Sequence, residues 1–196
     1  DGPSQMGLED LSLFRSLYNS VVLYPCDGPS TAGLVESAAA HEGLVYLRLT
    51  RGKTPLIYGP EESFPIGGSK VLRQSPADVF TLCAAGITLH EALAAADRLE
   101  EQGSTVRVID LYSVKPIDHE TLVWAGSETR GILVLEDHYP EGGLFEAVAA
   151  TLSTTSIPVH SLAVRRRPMS GKPDELLDYE GISRRGIVEA IEKILS

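Results

Sequence analysis

Cysteine is scarce in this chain of 196 residues: Cys26 and Cys83 are the only two. Their wide separation excludes a disulfide framework and matches no zinc-ligand spacing. Both are expected as unpaired, mostly buried thiols, which suits a cytoplasmic setting. Positive charge is short as well. Against 27 Asp and Glu stand 17 Lys and Arg, a formal net charge of -10. Phosphate affinity in nucleic-acid binders comes largely from Lys and Arg, so no nucleic-acid partner is expected. A local basic pocket for a small phosphorylated substrate remains open. No apolar run reaches the ~18 residues of a membrane span, and no charged-then-apolar leader is read, so no membrane partner is expected.

Familiar catalytic signatures are missing too. No G-x-G-x-x-G follows a strand-like run, which leaves a dinucleotide fold without support. Ser170-Gly171-Lys172-Pro173 holds a Gly-Lys pair but not the Walker spacing. No G-x-S-x-G elbow is present, which argues against an α/β hydrolase. The five histidines are scattered with no pair at i, i+4, so no metal ligands are expected. The chain opens on Asp1 without an initiator Met, which reads as processing or as a fragment of a longer protein.

What is present is an α/β pattern. Hydrophobic residues at 43% and charged residues at 22% give an ordinary globular balance. Leu8, Leu11, Phe14 and Leu17 recur at helical spacing. Val21 to Tyr24 reads as a buried strand, Thr31 to Ala40 as a helix and Leu44 to Leu49 as a second strand. Pro55, Gly59, Pro60, Pro65, Gly67 and Gly68 then break any regular element and mark a linker. A second series follows. Strands are predicted at Val79 to Ala84, Val106 to Leu111, Gly131 to Leu135 and Ile157 to Leu162. Helices are predicted from Thr88, at Asp118 to Trp124, Leu144 to Leu152 and Ile187 to Leu195. Thr88-Leu89-His90-Glu91 matches a capping box, with Thr88 capping and Glu91 reaching back.

This alternation predicts a three-layer domain on a mainly parallel sheet over residues 76–196, a linker over 61–75, and an incomplete α/β half-domain over 1–60. Two strands and two helices cannot cover both faces of a parallel sheet. The first ~60 residues are therefore expected to be partly unfolded, or to pair their strands with another chain.

Four places carry candidate chemistry. Asp1-Gly2-Pro3-Ser4-Gln5 puts an acid and an amide in a tight turn before a helix. The Asp1 carboxylate could accept from a substrate hydroxyl, or the segment could be a turn and cap. Arg51 follows a strand at its carboxyl end, where open α/β sheets bind ligands; it could fork onto a phosphate or form a surface ion pair. Glu136-Asp137-His138-Tyr139 with Glu141-Gly142-Gly143 could be an acid-base cluster, or a loop serving its own backbone and a neighbouring subunit. Arg165-Arg166-Arg167 with Lys172 is a basic patch read as solvated or interfacial.

Taken in order, these segments resemble the C-terminal part of transketolase. Asp1-Gly2-Pro3-Ser4-Gln5-Met6 is similar to the D-G-P-[ST]-[HQ] segment of its pyrimidine-binding domain. Gly86 to Leu93, Val108 to Leu111 through Lys115 to Asp118, Glu136 to Gly143, and Ser170 to Pro173 with Glu175-Leu176-Leu177 resemble its C-terminal domain. Gln5 stands where many members carry His, as in the animal-type branch. The resemblance implies a cytoplasmic dimer of the pentose phosphate pathway that moves a two-carbon ketol unit from a ketose phosphate to an aldose phosphate. It implies thiamine diphosphate and a divalent metal, Mg or Ca, in the full enzyme. Asp1 would contact a sugar hydroxyl, and Arg51 would bind the sugar phosphate. Gln5 would be the catalytic and cofactor-binding residue, beside the aminopyrimidine and the reacting carbons.

The family's diphosphate-and-metal domain, its activating glutamate and its ring-stacking aromatics have no counterpart in this sequence. The chain alone is expected to hold no cofactor and to need the N-terminal portion and a homodimer partner. Two other readings stay open. One is a non-catalytic assembly module. The other is the C-terminal part of a different thiamine enzyme, 1-deoxyxylulose-5-phosphate synthase or a 2-oxo acid dehydrogenase β subunit. In this family the C-terminal domain mainly serves assembly, so the Glu136 cluster is expected to be structural.

Overall fold

The computed structural model describes residues 6–196. The leading elements are helix α1 (Asp10–Arg15), strand β1 (Val21–Leu23), helix α2 (Gly28–Ala39) and strand β2 (Val45–Leu47). Asp27 starts α2: its Oδ1 accepts from Ser30 N–H at 2.9 Å, and the Ser30 hydroxyl answers the Asp27 N–H at 3.0 Å. An irregular stretch leads to β3 (Lys70–Arg73), which lies inside the 61–75 span expected as linker. Then come β4 (Phe80–Ala84), α3 (Ile87–Glu101), β5 (Val106–Asp110), β6 (Ser113–Lys115), α4 (His119–Glu128), β7 (Ile132–Leu135), α5 (Leu144–Thr151), β8 (Val159–Leu162), α6 (Pro173–Glu180) and α7 (Arg184–Leu195).

The larger sheet runs β3-β5-β4-β7-β8, parallel except for the antiparallel edge strand β3. Both faces are covered, as fully buried strands such as Phe80–Ala84 require. Leu89, Ala92 and Leu99 of α3 and Ile187 and Ile191 of α7 pack one face with Leu82, Val108 and Leu133. Leu122 and Ala125 of α4 and Leu144 and Val148 of α5 pack the other with Cys83, Ile109 and Val134. The class is thus α/β in three layers with a mainly parallel sheet, as the alternation predicts. Cys26 and Cys83 are both buried and unpaired.

In place of a partner from another chain, β1 finds its second neighbour within this chain. β1 pairs in parallel with β2 on one edge and antiparallel with β6 on the other, so the later half of this same chain completes the small sheet β2-β1-β6. β1 also joins two cores at once. Val21 and Leu23 sit in the α3-side cluster, Val22 in the α4-side one.

The predicted capping box is not formed. α3 begins after Gly86, and Thr88 lies inside the helix, donating to the carbonyls of Ala85 at 2.9 Å and Leu135 at 3.0 Å. Glu91 turns away to a bidentate pair with Arg184 of α7, at 2.7 and 3.1 Å. Tertiary partners outbid the local match. Gly86 takes the N-cap position because its φ is +57° and the Tyr24 ring occupies the space a Cβ would need.

Candidate functional site

β1 and β2 are parallel and in register from Val21↔Val45 to Leu23↔Leu47, so their carboxyl ends open on the same side. Arg51 leaves from that edge, four residues beyond β2, and is exposed. Asp27 leaves from the same edge beyond β1. Its Oδ2 accepts from the N–H groups of Ile57 at 2.7 Å and Tyr58 at 3.0 Å, which ties the irregular stretch down. Burial works against its charge, yet the hydrogen bonds from Tyr58, Ser30 and Ile57 prevail and hold the carboxyl below its ordinary range. Asp1 and Gln5 lie outside the described residues.

The larger sheet has its own carboxyl edge, and its strand order reverses between β4 and β7. That is where a doubly wound sheet offers a ligand crevice. Here the crevice is filled by the small sheet. Tyr24 lays its ring against Gly86 beyond β4, and its hydroxyl donates to Asp137 Oδ2, beyond β7, at 2.9 Å. Arg48 follows β2 and stacks over the Tyr24 ring at 4.7 Å. Its Nη1 reaches Asp137 Oδ1 at 3.0 Å and its Nε reaches Asp10 Oδ2 at 3.0 Å. Its Nη2 donates to the carbonyls of Asp137 at 3.0 Å and Gly7 at 3.2 Å. Tyr46 donates to Asp10 Oδ2 at 2.6 Å and stacks on Phe14. Only 9% of the Arg48 side chain is exposed, so this is a buried charged cluster with nearly every polar atom paired.

The neighbouring loop serves the same contact. His138 is fully buried; its Nδ1 sits 2.5 Å from the Tyr139 carbonyl, and its Nε2 receives the Ser12 N–H at 3.4 Å. Tyr139 N–H donates to Leu8 O at 3.0 Å, and Arg15 donates to the carbonyls of Gly142 and Gly143. Gly142 has φ +70° and faces Ser12 too closely for a Cβ. The Glu136 carboxylate accepts from Leu144 N–H at 2.6 Å, at the start of α5. The Glu136-Asp137-His138 cluster is therefore structural, and it grips α1 of its own chain. Sequence reasoning missed Arg48. The one signal was a charged residue inside the apolar run Val45 to Leu49, which demands a buried partner. The Arg165-Arg166-Arg167 patch is exposed; Glu180 accepts from the backbone N–H of Arg165 and Arg166.

A further buried carboxyl, Asp110, closes β5. Asp110 Oδ2 accepts from the Tyr58 hydroxyl at 2.7 Å and faces Cys26 Sγ at 3.8 Å, while its Oδ1 has no partner. Burial pushes Asp110 up to about 7 and Glu136 up to about 8. Between the ordinary carboxylate range and these values, the folded chain binds more protons than the unfolded one, so stability falls as pH rises. The expected result is a thermal midpoint highest near pH 5 and lower at pH 8.5. Asp110→Asn and Glu136→Gln should each recover roughly 2 kcal/mol at pH 8.5 and flatten the decline. Differential scanning calorimetry across that range checks it.

Among the described residues, no group of three or more His, Cys, Asp or Glu could hold a metal ion. A cleft of about 330 Å³ between α3, α6 and α7 is lined by Glu91, Arg98, Asp178 and Arg184. None of the described helices is long and apolar enough to cross a membrane.

Comparison with known proteins places these features. The family model of the transketolase pyrimidine-binding domain matches residues 1–56, and that of the transketolase C-terminal domain matches residues 69–187. Transketolase-like protein 1 of Bos taurus is 53% identical over 100% of this chain and 33% of its own length. Transketolase of Homo sapiens is 45% identical over 100% of this chain and 32% of its own. The chain spans about a third of the length of these curated relatives. Among solved structures, a split-gene transketolase described as an inactive β4 tetramer superposes with a TM-score of 0.87 at 38% identity, covering 95% of this chain and 60% of that one. Transketolase from Campylobacter jejuni shares the fold, with a TM-score of 0.78 at 21% identity over 98% of this chain and 29% of that one.

Proposed function

The chain belongs to the transketolase family, and from that premise we propose that it is the C-terminal section of a thiamine diphosphate-dependent transketolase. The complete enzyme would move a two-carbon ketol unit from a ketose phosphate to an aldose phosphate. One observation carries the reading. The match to the pyrimidine-binding domain spans Asp1, Gln5 and Arg51 together, and Arg51 leaves the carboxyl edge of the β1–β2 pair. The Arg51 guanidinium would hold the sugar phosphate, Asp1 a sugar hydroxyl, and Gln5 the aminopyrimidine side of the reacting carbons. Thiamine diphosphate, bound in the complete enzyme, supplies the carbanion chemistry. No described cluster fits a divalent ion, so that ion would be held by the rest of the protein.

The test joins this chain to an N-terminal portion equivalent to the remaining two thirds of its relatives. Ketol transfer from a ketose phosphate is expected from the assembly and not from the chain alone. Arg51→Ala should raise KM for the phosphorylated donor about 10- to 100-fold, the loss of a charged hydrogen bond to phosphate, with little change in kcat. Use of 2-oxo acids in place of sugar phosphates would reassign the chain to another thiamine enzyme.

A second reading concerns the chain by itself. Its likeness to an inactive tetramer of β chains favours an oligomeric, inactive module when the remainder is absent. Light scattering together with calorimetric titration of thiamine diphosphate separates the cases. Tight cofactor binding by the isolated chain would overturn this second reading.

A further inference from the structure

We propose that Arg48 and Asp137 form a positioning clamp, through which the C-terminal half of the chain holds the base of the Arg51 segment and residues 7–10, the stretch that follows Asp1 and Gln5 in sequence. The inference rests on the assignment of Arg51, Asp1 and Gln5 to the substrate site. The argument starts from what the Arg48 guanidinium holds. One nitrogen takes the Gly7 carbonyl, two residues from Gln5; a second takes Asp10, at the start of α1; a third takes Asp137, beyond β7. A bare ion pair between β2 and the loop would need only the last of these. The Gly7 contact is a backbone contact, so it fixes where the chain enters α1 whatever side chain stands there.

Four further bonds repeat the pattern from the other side. The Tyr139 N–H holds the Leu8 carbonyl, His138 receives the Ser12 N–H, and Arg15 holds the Gly142 and Gly143 carbonyls. Residues 8 to 15 are thus gripped along their length by the 136–143 loop. Arg48 also sits three residues before Arg51 and is itself fixed in the β1–β2 ladder, its N–H bonded to Leu23 O at 2.9 Å. One guanidinium therefore references both the Gly7 backbone and the base of the Arg51 segment to the same carboxylate. A planar fork with several fixed donors can do this; an ammonium cannot. The C-terminal half would then contribute to substrate binding without touching substrate.

The experiment uses two variants in the assembly of this chain with its N-terminal portion. Arg48→Lys keeps the charge and loses the fork. Asp137→Asn keeps an acceptor for Tyr24 and loses the ion pair, and guards against failure of the first variant to fold. Each is expected to raise KM for the ketose phosphate about tenfold or more, as misplacement of binding groups does, while amide exchange of a peptide covering residues 6–9 accelerates. Exchange over Val106 to Asp110 should stay as in the parent chain. A purely structural role would lower the thermal midpoint and the active fraction but leave KM where it was. Unchanged KM with unchanged exchange at residues 6–9, in a parent assembly that Arg51→Ala does impair, would overturn the clamp and spare the transketolase reading. A parent assembly with no ketol transfer would remove the transketolase reading, and the exchange measurement would still decide whether the clamp exists.

Discussion

At pH 8, Arg48→Met is expected to destabilise the fold by about 3–5 kcal/mol, the usual loss when one member of a buried charged cluster is removed. Methionine fills much of the same volume and keeps contact with the Tyr24 ring, so packing is not the main loss. The cost comes from what remains. Asp10 and Asp137 would face each other without the cation between them, and Gly7 O would lose its donor. Burial already pushes Asp137 above its ordinary range, with Arg48 opposing that push. Without the guanidinium, Asp137 would titrate higher still. Its folded value then exceeds its unfolded value, so the variant keeps stability at low pH and loses it as pH rises. Urea unfolding at pH 5 and pH 8 should therefore show a smaller deficit at pH 5. Equal deficits would mean that water reaches the two carboxylates once Arg48 is gone.

Gly86→Ala should cost about 3 kcal/mol or more, combining backbone strain with overpacking. At φ +57° an L side chain is strained before any contact is considered. The added methyl would then fall on the buried Tyr24 ring. Tyr24 cannot yield cheaply, since its hydroxyl is bonded to Asp137 and Arg48 lies over its face. Gly103 is the useful control. It also has positive φ, at +85°, but nothing stands near its Cβ position, so Gly103→Ala should cost only about 1 kcal/mol. Thermal unfolding of both variants separates strain from collision. Equal losses would show that the Tyr24 ring moves aside.

The parts of the fold legible from sequence are those whose reason is local. Ile132–Leu135 is a continuous apolar run, and Phe80–Ala84 one interrupted only by Thr81, because parallel strands are buried on both faces. β6 could not be read that way. Ser113–Lys115 is a strand because β1 needs a second partner, and nothing in three residues announces it. β3 is a half-exposed edge with Lys70 and Arg73 at its ends, and α6 follows an irregular basic stretch. Thr88-Leu89-His90-Glu91 shows the opposite failure, a good local match overridden by Leu135 and Arg184. At the candidate site, the place of Arg51 beyond the carboxyl end of β2 is legible from the apolar run before it. The role of Arg48 is not, because its meaning lies in Asp137, some ninety residues away in sequence.

The pairing of β1 with β6 also sets an order of assembly. Val22 meets Lys115 only after the chain between them exists, so on a ribosome β1 must wait while β3, β4, α3 and β5 are made. Such a long loop closes slowly, and a waiting strand with an open edge is exposed to association with other chains. The larger sheet can start from the adjacent pair β4 and β5, joined by α3 alone. The β1–β6 pairing would then form late, against a surface already formed, and a nascent chain released before residue 115 would leave that edge of β1 open.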